Sequence, residues 1–299
     1  MVTPLKDRDT LDLPGLERVI RHLLAGGVHG LFLLGTTGEG TSVSHRLRRE
    51  LIERSSKLVN GRVPLLAGIT DTSFVESVNL ARAAAEAGAD AVVLSPPYAM
   101  PEGQAELREY LEHILPELPL PVFLYHVPPL TKVAFELDVV RWAVDQPRIV
   151  GMKDSSGSMI YFNRVRELTR ARAGWSLLVG PEELLAESVL LGGHGGVCAS
   201  ANIFPRLYVE LYEAAQRGDL PRTRELHSMT MSVASEIYRG CLHPSAVIKA
   251  VKCALSCLGL CDDFMAEPFQ RFGEKERRHI QSTLKAVEPV VAALKTPGK

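Results

Sequence analysis

The feature that most constrains this chain is a repeated switch between two periodicities. Short runs that are apolar throughout alternate with longer segments whose apolar residues recur at helical spacing. The short runs are Gly30 to Gly35, Val63 to Ile69, Ala91 to Ser95, Pro121 to Tyr125, Ile149 to Met152, Ser176 to Val179 and Gly196 to Cys198. Val2-Thr3-Pro4-Leu5 reads as a further strand fragment cut short by a turn. Runs that do not alternate polar with apolar are expected where both faces of a strand are buried, as in parallel sheets. Between them lie helical segments: Leu13 to Ala25 with Asp12 as cap, His45 to Asn60, Ser73 to Ala87, Gly103 to Leu115, Phe135 to Asp145, Met159 to Arg172 and Glu182 to Leu191. About eight such strand–helix units over roughly 200 residues predict a closed (β/α)₈ barrel. An open doubly wound sheet would carry a Gly-rich phosphate turn after its first strand and an acid on its second, and neither is present. From about Phe204 the pattern is helical only, over 204–217, 219–239, 245–258 and 274–294. The expectation is therefore a barrel over 1–203 with C-terminal helices, 204–299, packed on it.

The chain has 299 residues, 46% of them hydrophobic, and a formal net charge of −1. Near-neutral charge gives no bulk attraction to nucleic acid or to a membrane surface. No apolar run is long enough for a transmembrane helix, and the opening residues do not read as a secretory leader, so a cytoplasmic protein is expected. The five cysteines are Cys198, Cys241, Cys253, Cys257 and Cys261. An odd count argues against a disulfide framework. The last three, four residues apart, would share one helix face as small buried side chains, and no metal site is expected from them.

The chemistry is concentrated in Ile149-Val150-Gly151-Met152-Lys153-Asp154-Ser155-Ser156-Gly157. Here an apolar strand ends at one lysine, and small polar residues follow at once. If that lysine points into a cavity, desolvation disfavours the ammonium and part of the population is a free amine. A free amine attacks a ketone and forms a Schiff base. The alternative is a strand-end lysine that reaches solvent.

Barrel enzymes place their reacting groups at the carboxyl ends of the strands. Collected there are Thr36 and Thr37, Ser95 and Tyr98, Tyr125, Lys153 and Ser155, Gly180, and Val197. The set is rich in hydroxyls around one lysine. Gly35-Thr36-Thr37-Gly38-Glu39-Gly40 offers backbone N–H groups and two hydroxyls, which suits a carboxylate, although an ordinary tight turn would read the same way. Tyr125 is either a packed aromatic or a proton shuttle. His126 is expected to line the pocket wall, and His194 to make a local hydrogen bond. Arg46, Arg48 and Arg49 read as one solvated helix face.

Four motifs together resemble the dihydrodipicolinate synthase/N-acetylneuraminate lyase family of lysine-dependent pyruvate aldolases. They are Gly35-Thr36-Thr37-Gly38-Glu39, Tyr125-His126-Val127-Pro128-Pro129, Gly151-Met152-Lys153-Asp154 and Gly192-Gly193-His194-Gly195-Gly196-Val197. Their order and spacing agree with the family over essentially the whole chain. The resemblance implies that Lys153 forms a Schiff base with pyruvate and that Tyr125 transfers protons. It implies that Thr36 links Tyr125 to Tyr98, and that Tyr98 reaches into a neighbouring subunit's site, making the protein a homo-oligomer, dimer or tetramer. Thr36 and Thr37 would hold the pyruvate carboxylate. Ser155 and the backbone at Gly180 and Val197 would line the pocket. No cofactor beyond the covalent imine is implied.

The chain also departs from relatives. Dihydrodipicolinate synthases carry an arginine at the position of Leu130, where it binds the carboxylate of aspartate semialdehyde, and leucine offers no such cation. Sialic-acid lyases resemble this chain in having leucine there, and they have an acidic pair where Glu182 and Glu183 stand. Those two residues also read simply as negative charge at a helix N-terminus. Ala199 replaces a serine used by the lyases to hold the sugar. Gly195 to Asn202, with Met152 to Ser155, resembles the 4-hydroxy-2-oxoglutarate aldolase branch. The first strand is shorter than in relatives. The expected activity is a class I aldolase or lyase that adds pyruvate to, or releases it from, an aldehyde, with a 2-oxo-3-deoxy or sugar-type acid as the partner class. Dihydrodipicolinate synthesis is the alternative substrate assignment. A catalytically silent 2-oxo acid-binding protein and a metal-dependent barrel lyase are the alternatives from other classes.

Overall fold

A computed structural model describes residues 1–239, 243–292 and 294. It opens with a small antiparallel hairpin, β1 (Leu5–Asp7) and β2 (Thr10–Leu11), followed by helix α1 (Leu13–Ala25). Parallel strands and helices then alternate. They run β3 (Leu31–Leu33), α2 (His45–Val59), β4 (Leu65–Gly68), α3 (Phe74–Glu86), β5 (Ala91–Leu94) and α4 (Gln104–Ile114). There follow β6 (Val122–His126), the single turn α5 (Pro128–Thr131), α6 (Leu137–Val144), β7 (Ile149–Asp154), α7 (Met159–Thr169), β8 (Ser176–Val179), α8 (Leu185–Leu190) and β9 (Gly195–Gly196). Four further helices close the order: α9 (Pro205–Gln216), α10 (Leu220–Ile237), α11 (Pro244–Cys257) and α12 (Glu274–Ala292).

Strands β3 to β9 form one parallel sheet in chain order. Each strand hydrogen-bonds the next in sequence, which is the arrangement of a TIM-barrel-like α/β fold. The sheet has seven strands among the described residues rather than the expected eight. Val2 to Leu5 does not join it, although just before it the Met1 ammonium donates to the Phe32 carbonyl of β3 at 2.7 Å. The Val2 N–H donates to Asn202 Oδ1 at 3.0 Å, Pro4 has no N–H and its carbonyl accepts from Asp12 at 3.0 Å, and Leu5 pairs with Leu11. Between β3 and β9 lies a cavity of about 320 Å³, bordered by Phe32, Leu66, Phe123, Leu178, Val197 and Tyr208.

Side chains alternate across each strand, and this sorts the core into two clusters. Leu31, Leu33, Leu65, Ala67, Val92, Leu94, Val122, Leu124, Met152, Leu177 and Val179 join the large core shared with the helices. Phe32, Val93, Tyr125 and Val127 form a separate cluster inside the curled sheet, with Leu66, Phe123 and Val197 against it. The inner cluster is the floor on which the candidate site stands.

The helix ends follow their capping signals. Asp12 accepts from the Gly15 N–H at 2.9 Å, and Ser44 and Ser73 cap α2 and α3 in the same manner. No helix among the described residues is long and apolar enough to cross a membrane. Cys253 and Cys257 lie on α11 as expected, but the helix ends at Cys257, so Cys261 is off it and buried beyond Gly259. Cys241 lies outside the described residues, as do Ala293 and residues 295–299 of the C-terminal segment.

Candidate active site

Lys153 is the fifth residue of β7, and its register partner on β6 is Tyr125. Both point to the inside of the curled sheet. Their neighbours His126 and Asp154 are also register partners and point the other way. Lys153 is 8% exposed and Tyr125 6%, so amine and phenol meet with little water between them. The Lys153 Nζ stands 4.4 Å from the centre of the Tyr125 ring and 5.3 Å from that of Phe32. Aromatic faces attract an ammonium and so hold the nitrogen in place.

The Tyr125 hydroxyl is 3.1 Å from Thr36 Oγ1. Burial alone would raise the phenol's pKa. The positive charge of Lys153, then hydrogen bonds with Thr36, Ser155 and Lys153, outweigh burial and set it below the ordinary tyrosine value. A phenol so placed gives up a proton more readily than a free tyrosine.

Ser155 follows β7, and its N–H donates to the His126 carbonyl at 2.7 Å. Gly180, just after β8, donates to the Asp154 carbonyl at 2.7 Å and lies tightly against the serine. A Cβ at position 180 would fall 1.9 Å from Ser155 Oγ. Glycine there is what lets the serine keep its place beside Tyr125. The Val197 N–H continues the ladder beyond β9 by donating to Val179 at 2.8 Å.

Thr36 and Thr37 occupy the turn after β3, Thr36 exposed and Thr37 half-buried. Tyr98 lines a void of about 10 Å³ together with Thr36, Thr41, Arg48, Thr70 and Tyr125. Its hydroxyl accepts from Ser95 Oγ at 3.5 Å, so the expected Thr36 link is made to Tyr125, whereas Tyr98 is met by Ser95. Thr70, which also accepts from the Ser95 N–H at 2.9 Å, joins this hydroxyl set and carried no signal in the sequence. The large cavity between β3 and β9 does not include Lys153. The meeting of amine and hydroxyls, rather than cavity size, locates the site.

Three expectations need correction. Glu182 does not face the lysine: Ser200 Oγ donates to its Oε1 at 2.6 Å and the Ser200 N–H to its Oε2 at 2.8 Å. Ser200 Oγ is in turn 2.6 Å from the Tyr238 hydroxyl, and burial raises the Glu182 carboxyl pKa. Glu182 is thus an interior bridge to the C-terminal helices, while Glu183 beside it is half-buried. His126 is not a pocket wall. It stacks on Tyr161 at 4.1 Å between ring centres, accepts the Phe135 N–H at Nδ1 (3.2 Å), and desolvation lowers its pKa to about 4. Arg48 is not solvated like Arg46 and Arg49. It is 7% exposed and donates to Asp71 Oδ2 at 2.8 Å and to the Val43 carbonyl at 3.1 Å. His194 does make its local bond, accepting the Leu177 N–H at 3.0 Å. Leu130, on α5, is 39% exposed and presents no charge.

A model of the family described as "Dihydrodipicolinate synthetase family" matches residues 1–287. The chain is 33% identical to a 4-hydroxy-tetrahydrodipicolinate synthase of Methanospirillum hungatei, with 95% of this chain and 96% of that protein covered. It is 32% identical to a probable 2-dehydro-3-deoxy-D-pentonate aldolase, YjhH, of Escherichia coli, with 94% of each covered. Among solved structures, dihydrodipicolinate synthase from Bacteroides thetaiotaomicron superposes with a TM-score of 0.92 at 50% identity, covering 96% of both chains. The E. coli prophage protein YagE, solved in complex with pyruvate, superposes with a TM-score of 0.90 at 28% identity, again over 96% of both chains. Fold, strand-end lysine and whole-length similarity agree: this chain belongs to the dihydrodipicolinate synthetase family of Schiff-base lysine aldolases and is a carbon–carbon lyase.

Proposed function

We propose that Lys153 is the Schiff-base lysine and that the protein cleaves a 2-oxo-3-deoxy acid to pyruvate and an aldehyde, or runs that reaction in reverse. In the addition direction the Lys153 amine attacks the pyruvate ketone carbon, and loss of water gives a cationic imine. The imine acidifies the methyl group, which loses a proton to become an enamine, and the enamine carbon attacks the aldehyde. Tyr125 gives a proton to the leaving hydroxyl, takes one from the methyl group as the enamine forms, and passes it to the new alkoxide, with Thr36 orienting its hydroxyl. Thr36 and Thr37 hold the carboxylate through turn N–H groups and hydroxyls, and Ser155, Gly180 and Val197 line the pocket. The protonated imine is itself the electron sink, so the chemistry calls for no metal or organic cofactor. The protein acts in the cytoplasm as a homo-oligomer, with Tyr98 contributing to a neighbouring subunit's site.

The observation that supports a neutral, hydroxylated aldehyde is Leu130. An anionic aldehyde needs a fixed cation, and the position where the resemblance puts that cation carries an uncharged, 39% exposed leucine. The similarity to YjhH, a probable pentonate aldolase, points the same way. Dihydrodipicolinate synthesis from pyruvate and aspartate semialdehyde is the second reading, supported by the 50% identical Bacteroides thetaiotaomicron synthase.

Borohydride reduction in the presence of pyruvate, followed by mass spectrometry, tests the first step. The expected result is an adduct on Lys153 that Lys153→Ala removes; an adduct on another lysine, or none, overturns the assignment. Cleavage rates for 2-dehydro-3-deoxy-pentonate, 2-dehydro-3-deoxy-hexonate and N-acetylneuraminate, whose aldehydes are neutral, are then compared with cleavage of 4-hydroxy-2-oxoglutarate, whose aldehyde is anionic, and with condensation of aspartate semialdehyde. Faster turnover of the semialdehyde than of every sugar-type acid establishes the second reading.

A further inference from the structure

The turn that carries Thr36 is held from behind by a buried ion pair. Glu39 lies three residues after Thr36, and its backbone N–H closes the turn on the Thr36 carbonyl at 3.0 Å. It adopts φ 52°, a left-handed conformation that glycine takes at no cost and other residues resist. Leu34, at the entry to the same turn, has φ 60°. Gly40 closes it so tightly that a Cβ there would lie 2.0 Å from the Leu34 carbonyl oxygen. Two non-glycine residues in this region of one seven-residue turn mean that surrounding contacts impose its shape.

Those contacts come from α11 and from the segment that joins it to α12. The Glu39 carboxylate is paired with Lys252 of α11, and both side chains are wholly inaccessible. Glu39 Oε1 also accepts the Ala266 N–H at 2.8 Å, and Lys252 Nζ donates to the Phe264 carbonyl at 2.7 Å. On the far side of the turn, Thr3 Oγ1 donates to the Gly38 carbonyl at 2.6 Å. A buried ion pair is a poor way to gain stability, because desolvation offsets the attraction and apolar replacements often serve as well. What such a pair does supply is one defined geometry. Here that geometry belongs to the residue whose hydroxyl meets Tyr125.

We propose that Glu39 and Lys252 are positioning residues, which through the Leu34–Gly40 turn set the distance between the Thr36 and Tyr125 hydroxyls, so that α11 serves the reaction without touching substrate. The proposal rests on the Schiff-base reading above. It assigns the C-terminal helices a part in imine formation and not only in covering the barrel.

The test is a double-mutant cycle read on the rate of borohydride-trappable pyruvate imine, with urea unfolding measured on every variant. The variants are Thr36→Val, the neutral pair Glu39→Gln with Lys252→Met, and all three changes together. The neutral pair is expected to unfold near the native urea midpoint yet to form imine about tenfold more slowly, with Thr36→Val adding less than about twofold to that loss. Native-rate imine formation in the neutral pair overturns the proposal, and so does a Thr36→Val penalty equal in the two backgrounds. If Thr36→Val costs nothing in the otherwise native chain, the assigned role of Thr36 fails and the proposal with it. Should the neutral pair not fold, Glu39→Gln alone, which keeps an acceptor for the Ala266 N–H, carries the same cycle and the same criteria.

Discussion

Tyr125 and Lys153 are matched across neighbouring parallel strands, and the amine rests 4.4 Å from the centre of the phenol ring. The backbone register itself therefore sets the relation between the proposed proton carrier and the proposed nucleophile. No loop has to close to bring them together. Tyr125→Phe keeps the ring that holds the nitrogen and removes only the hydroxyl. Turnover is expected to fall about a hundredfold or more while the protein stays folded. Steady-state rates with pyruvate and the best aldehyde check this, and near-native turnover would remove Tyr125 from the mechanism.

The same phenol is expected to shape the alkaline side of the activity profile. Its pKa lies below the ordinary value of 10.0, so the neutral hydroxyl is lost at a lower pH than in a free tyrosine. Turnover is expected to decline before pH 10. Thr36→Val removes one of the hydrogen bonds that lower the phenol, so it should move the decline to higher pH. A profile that does not move would detach the decline from Tyr125.

Gly180→Ala places a methyl group where Ser155 Oγ now lies. The serine must turn or shift away from Tyr125. A loss of about tenfold in kcat/KM is expected, exceeding any loss of stability. Adding Ser155→Ala removes the worst of the clash, leaving an approach of 2.9 Å to the Cβ of residue 155, and should return part of the stability without returning the full rate. Urea unfolding and kinetics on both variants separate the two effects.

His126 and Asp154 make a pair of opposed titrations behind the site. Burial lowers His126 from 6.5 to about 4 and raises Asp154 from 3.8 to about 6. For His126, stability is fully present above pH 6.5 and is lost as pH falls toward 4. For Asp154, stability is fully present below pH 3.8 and is lost as pH rises through 6. Each change amounts to about 3 kcal/mol, and because they run in opposite directions over nearly the same interval they largely cancel. Asp154→Asn should expose the histidine alone, so that stability falls as pH drops from 6.5 to 4. His126→Gln should leave stability rising as pH drops from 6 to 4. Urea midpoints across pH 4–7 decide it; parallel slopes in the two variants would refute the assignment.

Leu130→Arg tests what the mouth of the site selects. A guanidinium there offers a bidentate partner for a carboxylate. Condensation with aspartate semialdehyde is expected to rise about tenfold relative to cleavage of a 2-oxo-3-deoxy acid. An unchanged ratio would mean that position 130 does not read the aldehyde.

Most of the strands and helices were legible because uniformly apolar runs and 3.6-residue spacing are local properties. The strand-end rule then picked out Lys153, Tyr125 and Thr36. What the sequence hid depends on packing between distant segments. Nothing near Glu182 reveals that Ser200 will take both its oxygens. Nothing near Glu39 announces Lys252, more than two hundred residues away. Arg48 was more accessible to reasoning: it shares a helix face with Leu51, Ile52 and Ser55, a spacing that places it inward. Grouping it with Arg46 and Arg49 ignored that spacing. Val2 to Leu5 had strand composition, but only the Met1 ammonium ahead of it reaches β3, while Leu5 pairs with Leu11 in the hairpin instead.

Along β6 and β7, residues one step apart serve different compartments. Tyr125 and Lys153 look into the cylinder, while His126 and Asp154 look out to the helices. Deleting one residue ahead of Lys153 in β7 would turn its amine out among the helices and bring the Asp154 carboxylate inward, and deleting one ahead of Tyr125 in β6 would put the His126 ring in place of the phenol. Changes in length should therefore accumulate in the connections outside these two strands, whatever sequence drift the strands themselves allow.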